Sequence, residues 1–245
     1  MESSASCAVV VGAGGGIGGG LVRVLARQGL YERIVGVGRR RPDDWPDAPA
    51  RPFVIADIAR EDEIAEAARI IGGVGAPTRV VVATGLLHGD GVAPEKTMRA
   101  LDGETLLELF AVNAAAPALV AKHLLPLIPR DRPSVFAALS ARVGSISDNR
   151  LGGWYGYRAS KAALNMLIAT LAIEHRRTHP LGVCVALHPG TVDTRLSAPF
   201  QQGAATGAPR LTPDQSAQAL VEVMDGLTPA QTGGFFAWNG AAIPW

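Results

Sequence analysis

The chain has 245 residues, 48% of them hydrophobic, enough for one large α/β domain or two small ones with a substantial core. A formal charge of +1, with acids and bases interspersed, gives no electrostatic reason to expect nucleic acid or an anionic membrane as a partner. Its two cysteines, Cys7 and Cys184, each lie in an apolar run and read as reduced core residues, which excludes a disulfide framework and a cysteine metal site. The residues at the start carry no basic segment leading into an apolar one, and no uninterrupted apolar run approaches membrane-spanning length, so a soluble cytoplasmic protein is the expectation.

Residues 8–11 form a short buried strand, and the glycine-rich run from Gly12 to Gly18 follows it into a helix that stops at Gly29. Strand, glycine turn and helix together present backbone N–H groups to a phosphate. The spacing reads two ways: Gly14, Gly16 and Gly19 satisfy the general dinucleotide fingerprint, and Gly12, Gly16 and Gly18 give G-x-x-x-G-x-G. The register favours the second, because Val11 ends the strand and Gly12 is the first residue that must turn. The second strand, residues 34–38, runs into Arg39, Arg40 and Arg41, where a dinucleotide fold meets the adenosine ribose; a basic residue there suits a 2′-phosphate and favours NADP over NAD. Four prolines in residues 42–52 replace the usual crossover helix with an extended loop. A third strand, residues 53–56, ends at Asp57 and Ile58, placed either to contact an adenine edge or, for the aspartate, to cap the helix beginning near Glu61.

The fourth strand, residues 79–83, ends in Thr84-Gly85. Residues 103–127 are helical and put Asn113 among apolar neighbours, where asparagine is neutral to unfavourable; it is either a satisfied core amide or a functional one. The fifth strand, residues 135–139, delivers Ser140 at its end. A long amphipathic helix opens at Tyr157-Arg158-Ala159-Ser160-Lys161. Positions four apart share a helix face, so the Tyr157 hydroxyl and the Lys161 ammonium converge, and a nearby cation pulls a phenol with a pKa of about 10 toward working pH. Tyr155 is the rival phenol, but Ala159 stands four places on from it. The sixth strand, residues 183–187, is followed by His188-Pro189-Gly190-Thr191-Val192-Asp193-Thr194, then by a lid-like stretch, residues 196–209. Thr212-Pro213-Asp214 opens a helix to about Gly226, and residues 235–237 make a short last strand.

Strands alternating with helices imply an α/β fold: a doubly wound parallel sheet of Rossmann type, about seven strands in one domain, residues 1–245. Such sheets bind ligands at the C-terminal edge of the strands, where Gly12, Arg39, Asp57, Gly85, Ser140 and Pro189 all fall.

On these motifs the chain resembles the short-chain dehydrogenase/reductase family over nearly its whole length. The cofactor turn matches Gly12, Gly16, Ile17 and Gly18, the Tyr-x-x-x-Lys pair matches Tyr157 and Lys161, the helix asparagine matches Asn113, and the proline-glycine segment matches Pro189-Gly190. The stretch from Ser140 to Ile146, the Arg158-Ala159-Ser160 insert and the ending Trp238-Asn239-Gly240 with Pro244-Trp245 are similar to the C-factor subgroup and to Sniffer-type carbonyl reductases. Three positions depart from the family pattern: Val11 stands where a threonine braces the turn, Val82-Ala83-Thr84-Gly85 replaces Asn-Asn-Ala-Gly beside the adenosine, and alignment on Gly144 puts Ala141 at the catalytic serine. Ser140 is assigned that role, with Ser145 in reserve.

The resemblance implies NADP(H), held by these segments with Val192 and Thr194 near the nicotinamide and pyrophosphate, and a small apolar carbonyl substrate. Tyr157 is expected to donate the proton, Ser140 to stabilise the oxyanion, Lys161 to lower the tyrosine pKa and bind the ribose, and Asn113 to hold a relay water. Leu86, Leu87, Trp154, Leu196 and Phe200 are candidate pocket walls, and His88 and His188 read as structural. The resemblance also implies a homodimer or homotetramer that pairs residues 104–126 and 154–178. A nucleotide-binding signalling protein with little turnover is the rival reading, and an extended-type epimerase or dehydratase is a third.

Overall fold

The structure, a computed structural model, describes residues 6–45, 51–89, 91–197 and 210–245. Phe200 and most of the lid-like stretch lie outside the described residues. Seven parallel strands form one sheet in the order β3-β2-β1-β4-β5-β6-β7: β1 Ser6–Val11, β2 Arg33–Gly38, β3 Phe53–Ile55, β4 Ala76–Val82, β5 Ser134–Leu139, β6 Gly182–His188 and β7 Phe235–Ala237. The order reverses between β1 and β4, which opens a crevice at the C-terminal edge of the strands. Val9 and Val11 of β1 face one core and Ala8 and Val10 the other, as a period of two dictates. The first core is closed by α2 Glu61–Val74, α4 Ala116–Leu124 and α5 Tyr155–Arg176; the second is closed by α1 Gly16–Gln28 and α6 Pro213–Gly226.

Several elements start earlier than the sequence predicts. Helix α5 begins at Tyr155, two residues before Tyr157, and β4 begins at Ala76. Helix α6 starts where expected, with Thr212 and Gln215 forming a reciprocal capping box. Asp57 does not cap α2, whose N-cap is Arg60; its carboxylate instead accepts from Ala59 N at 3.0 Å, while Glu63 reaches back to Asp57 N at 2.7 Å. Ile58 packs against the first core.

The helical run 103–127 comprises α3 Gly103–Phe110, a π-turn Ala111–Ala115, α4 and a 3-10 turn Leu125–Leu127. By length and composition Gly103–Leu127 is apolar enough to cross a membrane, with a mean hydropathy of 1.4 in its best window, although Glu104, Glu108 and Lys122 interrupt it, in line with the expectation of no uninterrupted apolar run. Here α4 supplies Val120, Ala121 and Leu124 to the first core.

Among the described residues no helix joins β2 to β3. The Trp45 side chain covers β2 instead, stacked edge-on against Phe53 at 4.9 Å, with its indole N–H donated to Arg51 O at 2.8 Å. The indole lies directly on Gly36, where a Cβ would come within 2.3 Å of the ring. Gly36→Ala is therefore expected to destabilise the fold by about 1–3 kcal/mol through overpacking. For a chain of this size that is a drop of roughly 2–12 °C in Tm, measurable by calorimetry.

Candidate active site

The glycine turn joins β1 to α1. Gly12 and Ala13 both donate to Val37 O, at 2.8 and 3.2 Å, which binds the turn to β2. A Cβ on Gly18 would lie 2.1 Å from Gly12 O, whereas one on Gly19 would meet only the Arg23 guanidinium tip at 3.3 Å and Ala13 O at 3.5 Å. The geometry thus gives Gly12 and Gly18 the close approach, in agreement with the second spacing. No side chain caps α1 and its first turn holds no acid, so the first N–H groups of the helix, beyond the turn residues already bonded to backbone, are open to an anion. Gly14, Gly15 and Gly16 are exposed.

Other segments expected at this edge lie beside the turn. Arg40 O is 3.6 Å from the position of a Gly14 Cβ, and Pro42 also lines it; Arg39 and Arg40 are exposed. Thr194 crosses to within 3.0 Å of a Cβ placed on Gly16. Pro189 O accepts from Ser216 at 2.7 Å, Gly190 adopts φ 83 against Trp238, and Val192 is buried. Ala83 N donates to Val11 O at 2.8 Å. The buried Thr84 hydroxyl has no partner among the described residues. An uncapped helix start, a glycine cradle and an unpaired hydroxyl at one sheet edge fit a dinucleotide.

The catalytic candidates converge next to this cradle. Tyr157 and Lys161 are 7% and 2% exposed on α5, whereas Tyr155 is 39% exposed. Lys161 Nζ donates to Leu139 O at 2.8 Å and sits 5.9 Å from the Tyr157 ring centroid. Burial pushes the Tyr157 phenol up to about 12 and the Lys161 ammonium down to about 7. The expected pull of lysine on phenol is thus not expressed in this geometry: loss of water disfavours charge on both groups, and the lysine spends a proton on a backbone carbonyl.

Asn113 occupies the π-turn, where Ala116 N reaches back five residues to Ala111 O. Its fully buried amide accepts from Leu86 N at 2.8 Å and donates to Leu86 O at 2.8 Å and to the Ser160 hydroxyl at 3.1 Å. Both Asn113 Oδ1 and Lys161 Nζ lie 3.6 Å from a Cβ placed on Gly85. The asparagine's helix penalty is offset by these bonds, which pin the segment after β4 to α5.

Ser140 stands at the end of β5 as the sequence predicts, but its hydroxyl faces α5. Its hydroxyl, buried on the α5 side of β5, donates to Asn165 Oδ1 at 2.6 Å, so its one proton is engaged away from any substrate. The reserve Ser145 is 1% exposed and accepts from Asp148 N at 3.2 Å. Asn165, which also donates to Gly144 O at 3.3 Å, is a residue the sequence reading missed. Its position four beyond Lys161 on the same helix face is the signal that marks it.

Of the candidate walls, Trp154 packs edge-on to Tyr157 at 6.3 Å, Leu86 and Leu196 are half-buried, and Leu87 is a core residue, 6% exposed. His88 Nε2 lies 3.1 Å from both Arg195 O and Leu196 O, a structural tie, and the buried His188 Nδ1 has no partner among the described residues. Among the described residues no acid, histidine and cysteine cluster suits a metal.

A doubly wound parallel sheet with a phosphate cradle and a buried Tyr-x-x-x-Lys pair at one edge defines a dinucleotide-dependent oxidoreductase. The short chain dehydrogenase family model matches residues 6–205, and the chain belongs to that family. It is 36% identical over 146 residues to C-signal of Myxococcus xanthus, covering 59% of this chain and 81% of the relative. The carbonyl reductase Sniffer of D. melanogaster superposes with a TM-score of 0.85 at 25% identity, over 98% of this chain and 99% of the other. A Burkholderia multivorans short-chain dehydrogenase/reductase with bound NADP gives a TM-score of 0.78 at 25% identity, over 98% and 100%. These similarities match the C-factor and Sniffer-type subgroup.

Proposed function

We propose that the chain is an NADP(H)-dependent reductase of small apolar carbonyls, soluble in the cytoplasm. The observation that carries the proposal is the convergence of Tyr157, Lys161 and Asn113 beside Gly85, next to the glycine cradle. Gly12, Gly16, Ile17, Gly18, Asp57, Ile58, Ala83, Thr84, Gly85, Pro189, Gly190, Val192 and Thr194 would hold the dinucleotide, with Arg39 and Arg40 at its 2′-phosphate. A bound nicotinamide supplies the hydride. Tyr157, proton-loaded because it is buried, gives its phenolic proton to the substrate oxygen. Lys161 turns its charge toward that oxygen and the ribose, and Asn113 fixes the segment that forms the floor. Ser140 takes part only by releasing Asn165, so Tyr157 alone is assigned the proton.

Exposed Leu107, Met166 and Ile173 on α3 and α5 support the proposed homodimer or homotetramer. The C-signal likeness and the engaged Ser140 favour, as a second reading, a nucleotide-binding signalling protein with little turnover.

The cofactor assignment is tested by titrating NADPH and NADH into the wild type and Arg39→Asp. The variant is expected to lose affinity for NADPH by about tenfold or more, a charge-assisted contact of roughly 1.5–3 kcal/mol, while NADH affinity holds or rises. Unchanged NADPH affinity would remove Arg39 from the site.

A further inference from the structure

We infer that Glu95 is a positioning residue for Tyr157, capping the catalytic helix from outside its own sequence. Helix α5 starts badly by its own means: its N-cap is Trp154, in the left-handed region at φ 53, with no side-chain cap and no acid in the first turn. A non-glycine residue holds that conformation only where its surroundings impose it. Glu95 imposes it twice. Its backbone oxygen accepts from Trp154 N at 2.6 Å, and its carboxylate oxygens accept from Gly156 N at 3.2 and 3.3 Å.

The carboxylate is buried, with the residue 4% exposed, and it pairs with no cation among the described residues. A buried, unpaired carboxylate is costly unless it serves a donor or a dipole, and the start of α5 offers both. Gly156 is shaped for it: a Cβ there would lie 2.9 Å from Glu95 Oε1 and 2.6 Å from Leu109 Cδ1. Tyr157 is the next residue, and its ring packs against Trp154. The segment carrying Glu95 is also held at Leu86 by Asn113, which reaches Ser160 on α5. Two anchors, one at the first turn of α5 and one beside Lys161, therefore fix the floor segment to the helix that bears the tyrosine, and Glu95 is the one nearer the phenol.

The inference rests on the reductase reading, so the test has a turnover arm and an arm free of turnover. In Glu95→Ala, kcat for carbonyl reduction is expected to fall about 10- to 100-fold, the cost of a misplaced acid, while KM and NADPH affinity stay within about threefold. Glu95→Gln, which keeps an acceptor, is expected to recover most of kcat. Hydrogen exchange at Gly156 is expected to accelerate about tenfold or more in Glu95→Ala and to return toward wild type in Glu95→Gln.

Wild-type kcat in Glu95→Ala, or Glu95→Gln as impaired as Glu95→Ala, overturns the inference. If Glu95→Ala does not fold, Glu95→Asp carries the test: a lowered kcat at unchanged KM supports the role, and an unchanged kcat overturns it. If the wild type reduces no carbonyl, the reductase reading fails, and exchange at Gly156 alone decides whether Glu95 is the cap.

Discussion

Tyr157→Phe is expected to lower kcat for carbonyl reduction by about 10²–10⁴-fold, the usual worth of a positioned general acid, while NADPH affinity changes by no more than a few-fold. The substitution removes one oxygen from a 7% exposed ring and leaves its packing against Trp154 in place. Tyr155→Phe is the control, since Tyr155 is 39% exposed and has Ala159 rather than a lysine four residues on. The pH dependence follows from the two buried groups. With the phenol raised to about 12, Tyr157 stays protonated and able to donate across the neutral range. Lys161, lowered to about 7, is charged below that pH and neutral above it, so kcat/KM, which reports the free enzyme, is expected to fall as pH rises through about 7.

Gly18→Ala is the second large effect. The new methyl would stand 2.1 Å from Gly12 O, 2.8 Å from Gly12 C and 3.1 Å from Ala13 Cα, all backbone atoms that cannot rotate away. Relief requires α1 to move off the turn, which pulls on the bonds from Gly12 and Ala13 to Val37 O. Overpacking of this kind costs about 1–3 kcal/mol or more, and it falls on the phosphate cradle. NADPH affinity is therefore expected to drop by about 100-fold or more, with Tm lowered, by titration and calorimetry. Gly19→Ala, meeting the Arg23 guanidinium at 3.3 Å and Ala13 O at an ordinary 3.5 Å, is expected to retain affinity and to gain helix propensity. Equal losses in the two variants would contradict the turn geometry.

The sheet was legible because its signal is local. Alternation along residues such as 8–11 and 183–187 and the turn residues between them locate strands and helices without knowledge of their neighbours. The Tyr157–Lys161 pair was legible for the same reason, as one helix face read at a spacing of four.

What escaped depends on contacts between distant segments. Trp45 fills the place of a crossover helix by lying on Gly36, and nothing in a proline-rich run announces that. Glu95 serves a helix N–H, that of Gly156, 61 residues further on, and a lone acid in a loop carries no pattern. Ser140 was partly legible: Phe136 and Ala138 of β5 face the core closed by α5, and period two sends Ser140 to the same side, toward Asn165. The direction of the Tyr157 shift was not legible, because burial, which outweighs the lysine here, belongs to the assembled fold.

NADPH and NADH consumption by the purified protein, followed over a panel of aldehydes, ketones and quinones, decides the reductase assignment. Turnover with NADPH on apolar carbonyls and much weaker turnover with NADH are expected of the reductase. Tight NADPH binding without reduction of any carbonyl would contradict it and leave the signalling reading in its place.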